Sequence, residues 1–205
     1  MFDARLRPLI DPPLNAAGRW LARRGIGANA VTLAGLAPAL GAGVAIAAGH
    51  FALALALILL NRLLDGLDGA VARSRGLTDF GGYLDTLADY VFYVTVPLAF
   101  GIVSPANTLP ALLLVASFTL TCASFLVYAA IAARRGQQTA AHGAKSFFYS
   151  TGLAEGAETI AAFIAMCLWP AQFPVIALGF AGLCLLTVAQ RTGMACRHFS
   201  ARENV

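Results

Sequence analysis

Charge is what this chain has least of. Only 12% of its 205 residues are Asp, Glu, Lys or Arg, against 59% hydrophobic, a balance far from that of a soluble globule and expected of an integral membrane protein. Cysteine is scarce as well. Cys122, Cys167, Cys184 and Cys196 form no CxxC pair and have no histidine at ligand spacing, which excludes a zinc site or a disulfide framework and leaves small core or lipid-facing residues. The N-terminal stretch lacks the unbroken apolar core and small-residue cleavage site of a secretory signal, so it is expected to remain on the mature protein. The net charge of +4 does not point to nucleic acid, because a binding face for it needs a solvated basic surface that so apolar a chain does not offer.

What is present is apolar sequence in span-sized lengths. Six segments, roughly 30–49, 51–74, 80–104, 108–133, 149–169 and 173–195, each come near the roughly twenty residues that a membrane-crossing helix needs. Ahead of them Phe2, Leu6, Leu9, Ile10, Leu14, Ala17 and Leu21 recur at helical spacing among Arg5, Arg7, Arg19, Arg23 and Arg24, with Pro8, Pro12 and Pro13 as expected breaks. That pattern predicts a broken amphipathic helix lying on an anionic membrane surface. The chain thus reads as one all-α membrane domain over 1–205: an interfacial segment 1–25, a six-helix transmembrane bundle 30–195 and a tail 196–205.

The fourteen basic residues fall in the N-terminal segment and at Arg62, Arg73, Arg75, Arg134, Arg135, Lys145, Arg191, Arg197 and Arg202, whereas the connections near His50, 102–109 and 168–174 have none. The positive-inside rule then puts both termini and the second and fourth connections in the cytoplasm, and a bacterial cytoplasmic membrane is the expected location.

Against this background the stretch 61–90 stands apart. It carries Asp65, Asp68, Asp85 and Asp89, four of only ten acidic residues, and acids at membrane depth are functional candidates by default. Asp65 and Asp68 are spaced i, i+3 and Asp85 and Asp89 i, i+4, so each pair shares a helix face. The two helices are joined by a short connection near 74–78. Counting outward from it, the four carboxylates are expected to face one another at one depth across a helical hairpin, on the cytoplasmic side.

Four such charges repel strongly unless cations join them, and hard divalent ions with oxygen ligands, one or two Mg²⁺ or Mn²⁺, are the natural partners. Gly66, Gly69, Gly81 and Gly82 leave backbone bare for a phosphate to approach, and Arg73 offers it a fork of donors. The competing structural reading pairs the acids with Arg62, Arg73 and Arg75, and a cation transporter using the acids as its path is the rival from another functional class. An EF-hand fails, since DGLDG lacks the ligand positions and closing Glu.

The order Asp65-x-x-Asp68-Gly69-x-x-Ala72-Arg73, followed by Gly81-x-x-x-Asp85-x-x-x-Asp89, resembles the signature of the CDP-alcohol phosphatidyltransferases, six-helix membrane enzymes of phospholipid synthesis. The spacer between Arg73 and Gly81 is one residue shorter than is usual in that family. The resemblance implies metal ligation by Asp65, Asp68, Asp85 and Asp89, with Asp89 also the general base, and a CDP pocket lined by Asp65, Gly69, Ala72, Arg73 and Gly81. It also implies a homodimer. The segment 27–32 is similar to the family's Pro-Asn-x-x-Thr, with Ala28 in place of the proline; Asn29 and Thr32 are expected either to touch the nucleotide or to cap the helix. The implied reaction moves a phosphatidyl group from CDP-diacylglycerol to the hydroxyl of a small alcohol or alcohol phosphate, releasing CMP. The alternative within the class moves a CDP-activated head group to diacylglycerol.

The acceptor side is less specific. Arg134, Arg135, Lys145 and Arg191 are candidates for an acceptor phosphate, and Glu155 and Glu158, again i, i+3, for hydroxyls or an amine. Each basic residue has the competing role of a topology or headgroup charge, and each glutamate that of an ion-pair partner within the bundle. Phe147, Phe148, Phe163, Phe173 and Trp169 read as packing or interfacial residues.

Overall fold

The computed structural model describes residues 3–135 and 156–200, and these form seven α-helices. They are α1 (Asp3–Arg23), α2 (Ala28–Ala47), α3 (Phe51–Arg75), α4 (Asp79–Val103), α5 (Pro105–Arg134), α6 (Gly156–Leu168) and α7 (Phe173–Ser200), with a 3-10 turn at Pro170–Gln172 before the last. α2, α4, α5 and α7 are long and apolar enough to cross a bilayer. α3 has the length, at 25 residues, but its second half carries the charges of the acidic stretch. Its described residues are all-helical, and the protein is a multi-pass membrane protein.

Local sequence explains the helix ends. Thr78 caps α4 by accepting a hydrogen bond from the Gly81 amide at 3.0 Å, and Asp79 sits in the first turn where the helix dipole favours it. Ser104 caps α5, whose first residue is Pro105, a position where a missing amide costs nothing. α3 stops at Gly76, whose φ of 104° is open to glycine and strained for other residues.

One expectation needs correction here. α1 is a single helix from Asp3 to Arg23, undivided by Pro8, Pro12 and Pro13; packing along α3 holds it in line where the local sequence predicts breaks. α7 runs on to Ser200. The expected fifth segment is described only over Gly156–Leu168, its first part lying outside the described residues.

The bundle turns its small and aromatic residues inward and its leucines outward. Phe92, Phe100, Phe163, Phe173, Leu114, Ile46 and Ile58 are fully buried, whereas Val44, Ile102, Leu109 and Val175 lie on the outside, as lipid requires. Phe100 stacks on Phe173 with centroids 4.6 Å apart, and Phe92 meets Phe163 edge-on at 5.4 Å. Trp169 is exposed, while Phe147 and Phe148 lie outside the described residues. All four cysteines are free thiols, Cys167 and Cys184 buried.

The expected hairpin of α3 and α4 also differs in its packing. α2 packs extensively against both, and these two touch each other far less. α2 is slim enough for that place because glycines mark its contacts: a Cβ at Gly35 would meet Leu64 and Asn61 of α3, and one at Gly43 would meet Thr95 of α4. On the other side of α3, α1 comes close enough that a Cβ at Gly18 would stand 2.7 Å from that of Ala70.

Candidate active site

The splay of α3 and α4 leaves room for their acids. Carboxylate oxygens of Asp65, Asp68 and Asp85 all lie within 4.8 Å of one another, so side chains from both helices converge on one point. Asp68 is buried and Asp65 half-buried. Three carboxylate oxygens at this spacing form a donor set suited to a hard divalent cation.

Asp89 completes the expected quartet differently. Its Oδ1 accepts a hydrogen bond from Arg62 Nη1 at 3.0 Å, and the same nitrogen lies 3.6 Å from Asp65 Oδ2. The structural pairing considered from sequence is therefore present at Arg62. Arg73 and Arg75 turn elsewhere: Arg73 donates from Nε and Nη2 to Asn15 Oδ1 of α1, at 3.3 and 3.0 Å, and Arg75 to the Gly25 carbonyl at 3.0 Å.

A narrow crevice opens beside the acids. Thr32 and Gly35 of α2, Asn61, Arg62, Asp65 and Asp68 of α3, and Ala88 and Asp89 of α4 line it. Three helices therefore contribute to one concave site. Sequence reading missed Gly35 and Asn61 as part of it and gave Arg62 no role in the chemistry. The available signals were a polar Asn61 in an apolar run and an arginine three positions before Asp65.

The residues assigned to the nucleotide cluster around the same end of the bundle. Gly69 lies beneath the Arg73 guanidinium, where an added Cβ would meet Nη1 at 3.3 Å, and Ala72 lies between them in sequence, half-buried. At Gly81 an added Cβ would meet Thr78 Oγ1 at 2.9 Å and Asn29 Oδ1 at 3.3 Å, so the starts of α2 and α4 approach closely. The capping role considered for Asn29 and Thr32 is not realised: Gly27 occupies the N-cap of α2 without a side-chain bond, and Thr32 donates back to the Ala28 carbonyl at 3.1 Å. Both residues are inside the helix because it begins at Ala28.

The acceptor candidates are only partly visible. Lys145 and Glu155 lie outside the described residues, and Glu158 is in the first turn of α6. Arg134 is in the last turn of α5. Arg135 donates to the Phe199 carbonyl at 3.0 Å, and Arg191, buried, donates from Nη1 to the Thr121 carbonyl at 2.9 Å and Ser124 Oγ at 2.7 Å. These contacts tie α7 to α5, a structural task that sequence spacing did not reveal.

Known proteins share both this layout and the sequence. The family model of the CDP-alcohol phosphatidyltransferases matches residues 26–192. The inner membrane protein YnjF of Escherichia coli K12 is 44% identical over 192 residues, 93% of each chain. The archaetidylinositol phosphate synthase of Pyrococcus horikoshii is 36% identical over 87 residues, 42% of this chain and 46% of that one. Mycobacterium tuberculosis phosphatidylinositol phosphate synthase has the same fold at 20% identity. Its structure with CDP-DAG bound gives a TM-score of 0.70, covering 89% of this chain and 93% of that one. Its manganese and citrate complex gives 0.68, covering 88% and 87%. With the matched region running from before α2 well into α7 and enclosing every carboxylate of the cluster, the chain belongs to the CDP-alcohol phosphatidyltransferase family and is a phosphotransferase enzyme.

Proposed function

We propose that the protein transfers a phosphatidyl group from CDP-diacylglycerol to the hydroxyl of a small alcohol or alcohol phosphate and releases CMP. The observation that carries this reading is the convergence of Asp65, Asp68 and Asp85 oxygens within 4.8 Å, with Asp89 beside them in one crevice. The donor set fits Mg²⁺ or Mn²⁺ by its chemistry, being all oxygen, anionic and drawn from two helices. Asp65, Asp68 and Asp85 would hold the ion, with Asp89 sharing a second if two bind. When bound, such an ion supplies neutralising charge to the diphosphate and its leaving CMP.

The chain's own residues do the rest. Arg73, Gly69 and Ala72, with Gly81 and Asn29 opposite, receive the CDP moiety, and bare backbone at the glycines lets phosphate oxygens approach. Thr32 lines the crevice beside the acids. Asp89 takes the proton from the acceptor hydroxyl. The new bond joins that oxygen to the lipid-side phosphorus, while the bond from that phosphorus to the bridging oxygen breaks and the oxygen leaves on CMP with the electron pair.

Arg73 and Arg75 at the end of α3, Arg134 at the end of α5 and Arg197 at the end of α7 support a cytoplasmic site and cytoplasmic termini in a six-span arrangement with α1 at the interface. The name of the Escherichia coli relative supports a bacterial inner membrane. A homodimer belongs to the same proposal, on the family resemblance. Two of the similar proteins are named for inositol phosphate lipid synthesis, so an inositol phosphate is the first acceptor to offer. Family membership favours this transferase over the cation-transporter reading.

The test is direct. Purified protein is incubated with labelled CDP-diacylglycerol, Mg²⁺ or Mn²⁺ and a panel of alcohols and alcohol phosphates, and the lipid product is identified. Metal-dependent CMP release coupled to one new lipid is expected; no release with any acceptor overturns the proposal.

A further inference from the structure

The acids dominate the site, yet the side chain bound to most of its parts is a cation. Arg62 lies on α3, its side chain only 12% exposed. Nε and Nη2 both donate to Asn61 Oδ1, at 2.9 and 2.6 Å, and Asn61 Nδ2 donates to the Gly35 carbonyl of α2 at 2.9 Å. Nη1 donates to Asp89 Oδ1 at 3.0 Å and lies 3.6 Å from Asp65 Oδ2. The guanidinium carbon stands 4.2 Å from the Phe92 ring centroid and 5.8 Å from that of Tyr93, both on α4 within about a turn of Asp89. One planar head is thereby held from α3 and α4, by hydrogen bonds at its edge and aromatic rings at its face, and is tied to α2 through Asn61.

We propose that Arg62 is the positioning residue for Asp89 in the transfer reaction, an inference that rests on Asp89 being the base. A base works only if a lone pair on a defined oxygen meets the hydroxyl proton, and a misplacement of about 1 Å is enough to lose about a hundredfold in rate. An aspartate side chain turns freely about two torsions. Arg62 removes that freedom by holding Oδ1, which leaves Oδ2 to receive the proton. The bond from Asn61 to Gly35 extends the hold to α2, so the base is registered against the helix that carries Thr32. A lysine has the charge but not the fork, and its single ammonium does not span Asn61 and Asp89 while lying flat on Phe92.

The experiment uses the full-length protein with Arg62→Gln and Arg62→Lys, measuring kcat, KM for CDP-diacylglycerol, Mn²⁺ binding by titration and thermal unfolding. Asp89→Asn is run beside them. Both Arg62 variants are expected to lose about tenfold or more in kcat, with KM close to wild type. Mn²⁺ binding should be retained or tightened, since removing a positive charge beside carboxylates does not weaken their hold on a cation. Wild-type kcat in Arg62→Lys reduces Arg62 to a charge balance and overturns the proposal. So does unchanged kcat in Arg62→Gln, or joint loss of kcat, KM and Mn²⁺ binding, which marks a merely structural role. Normal turnover in Asp89→Asn removes the underlying base assignment instead; an inactive Asp89→Asn beside fully active Arg62 variants removes only the positioning role.

Discussion

Replacing Gly18 by alanine adds one methyl group at a close approach of α1 to the acidic helix. On the present backbone that methyl would stand 2.7 Å from Ala70 Cβ, 2.8 Å from its carbonyl carbon and 3.0 Å from the Val71 nitrogen, where carbon contacts settle at about 3.5–4.0 Å. Two of the three neighbours are backbone, so no side chain can swing away, and α1 must retreat from α3 by about 1 Å. Overpacking of this kind costs about 1–3 kcal/mol. Alanine's better helix propensity returns up to about 1 kcal/mol. Gly179→Ala is the matched control, because an added Cβ there meets nothing within 4 Å and only the propensity gain remains. In a chain of this size the two variants should therefore differ in Tm by about 2–12 °C, Gly18→Ala being the lower. Thermal unfolding of the purified proteins in one detergent measures the difference. The retreat would also stretch the bonds from Arg73 to Asn15, now 3.0 and 3.3 Å, beyond hydrogen-bond length, so KM for the CDP-lipid should rise more than kcat falls. Equal unfolding temperatures for the two variants would refute the close approach of α1 and α3.

Two further outcomes test the site itself. Asp89→Asn should lower kcat by about 10²–10⁴-fold while leaving CDP-diacylglycerol binding intact, checked by CMP release and a lipid-binding assay; substantial turnover excludes Asp89 as the base. Asp85→Asn should weaken Mn²⁺ binding about tenfold or more by removing one anionic ligand, whereas Asp79→Asn, at the start of the same helix, should not; equal Mn²⁺ affinities would refute the three-carboxylate set.

The convergence of Asp65, Asp68 and Asp85 was legible from spacing because it needed only helix periodicity and a short turn. Spacings of i, i+3 and i, i+4 put each pair on one face of its own helix, and similar distances from Gly76 put the two pairs at one level. The apolar lengths were legible for a similar reason, since a bilayer imposes a minimum span that composition must satisfy. Helix breaks at the prolines of α1 were predicted wrongly, because the propensity argument knew nothing of the surface of α3 against which that helix lies.

Other features depend on residues far apart in the chain, and no local pattern encodes those meetings. Asn15 reaches Arg73 across 58 positions, Arg191 reaches Thr121 across 70, and Asn61 reaches the Gly35 carbonyl across 26. The sequence by itself determined that this is a helical membrane protein with clustered carboxylates, because charge, length and period are properties of single segments; the family resemblance rested on the residue order of one motif. Only the tertiary structure decided that α2 packs against both acid-bearing helices, that Asp89 is bound by Arg62, and that two proposed acceptor arginines brace α5 against α7. Those outcomes depend on which helix faces fit together, and that is settled by the shapes of surfaces, down to the missing Cβ atoms of Gly18 and Gly43.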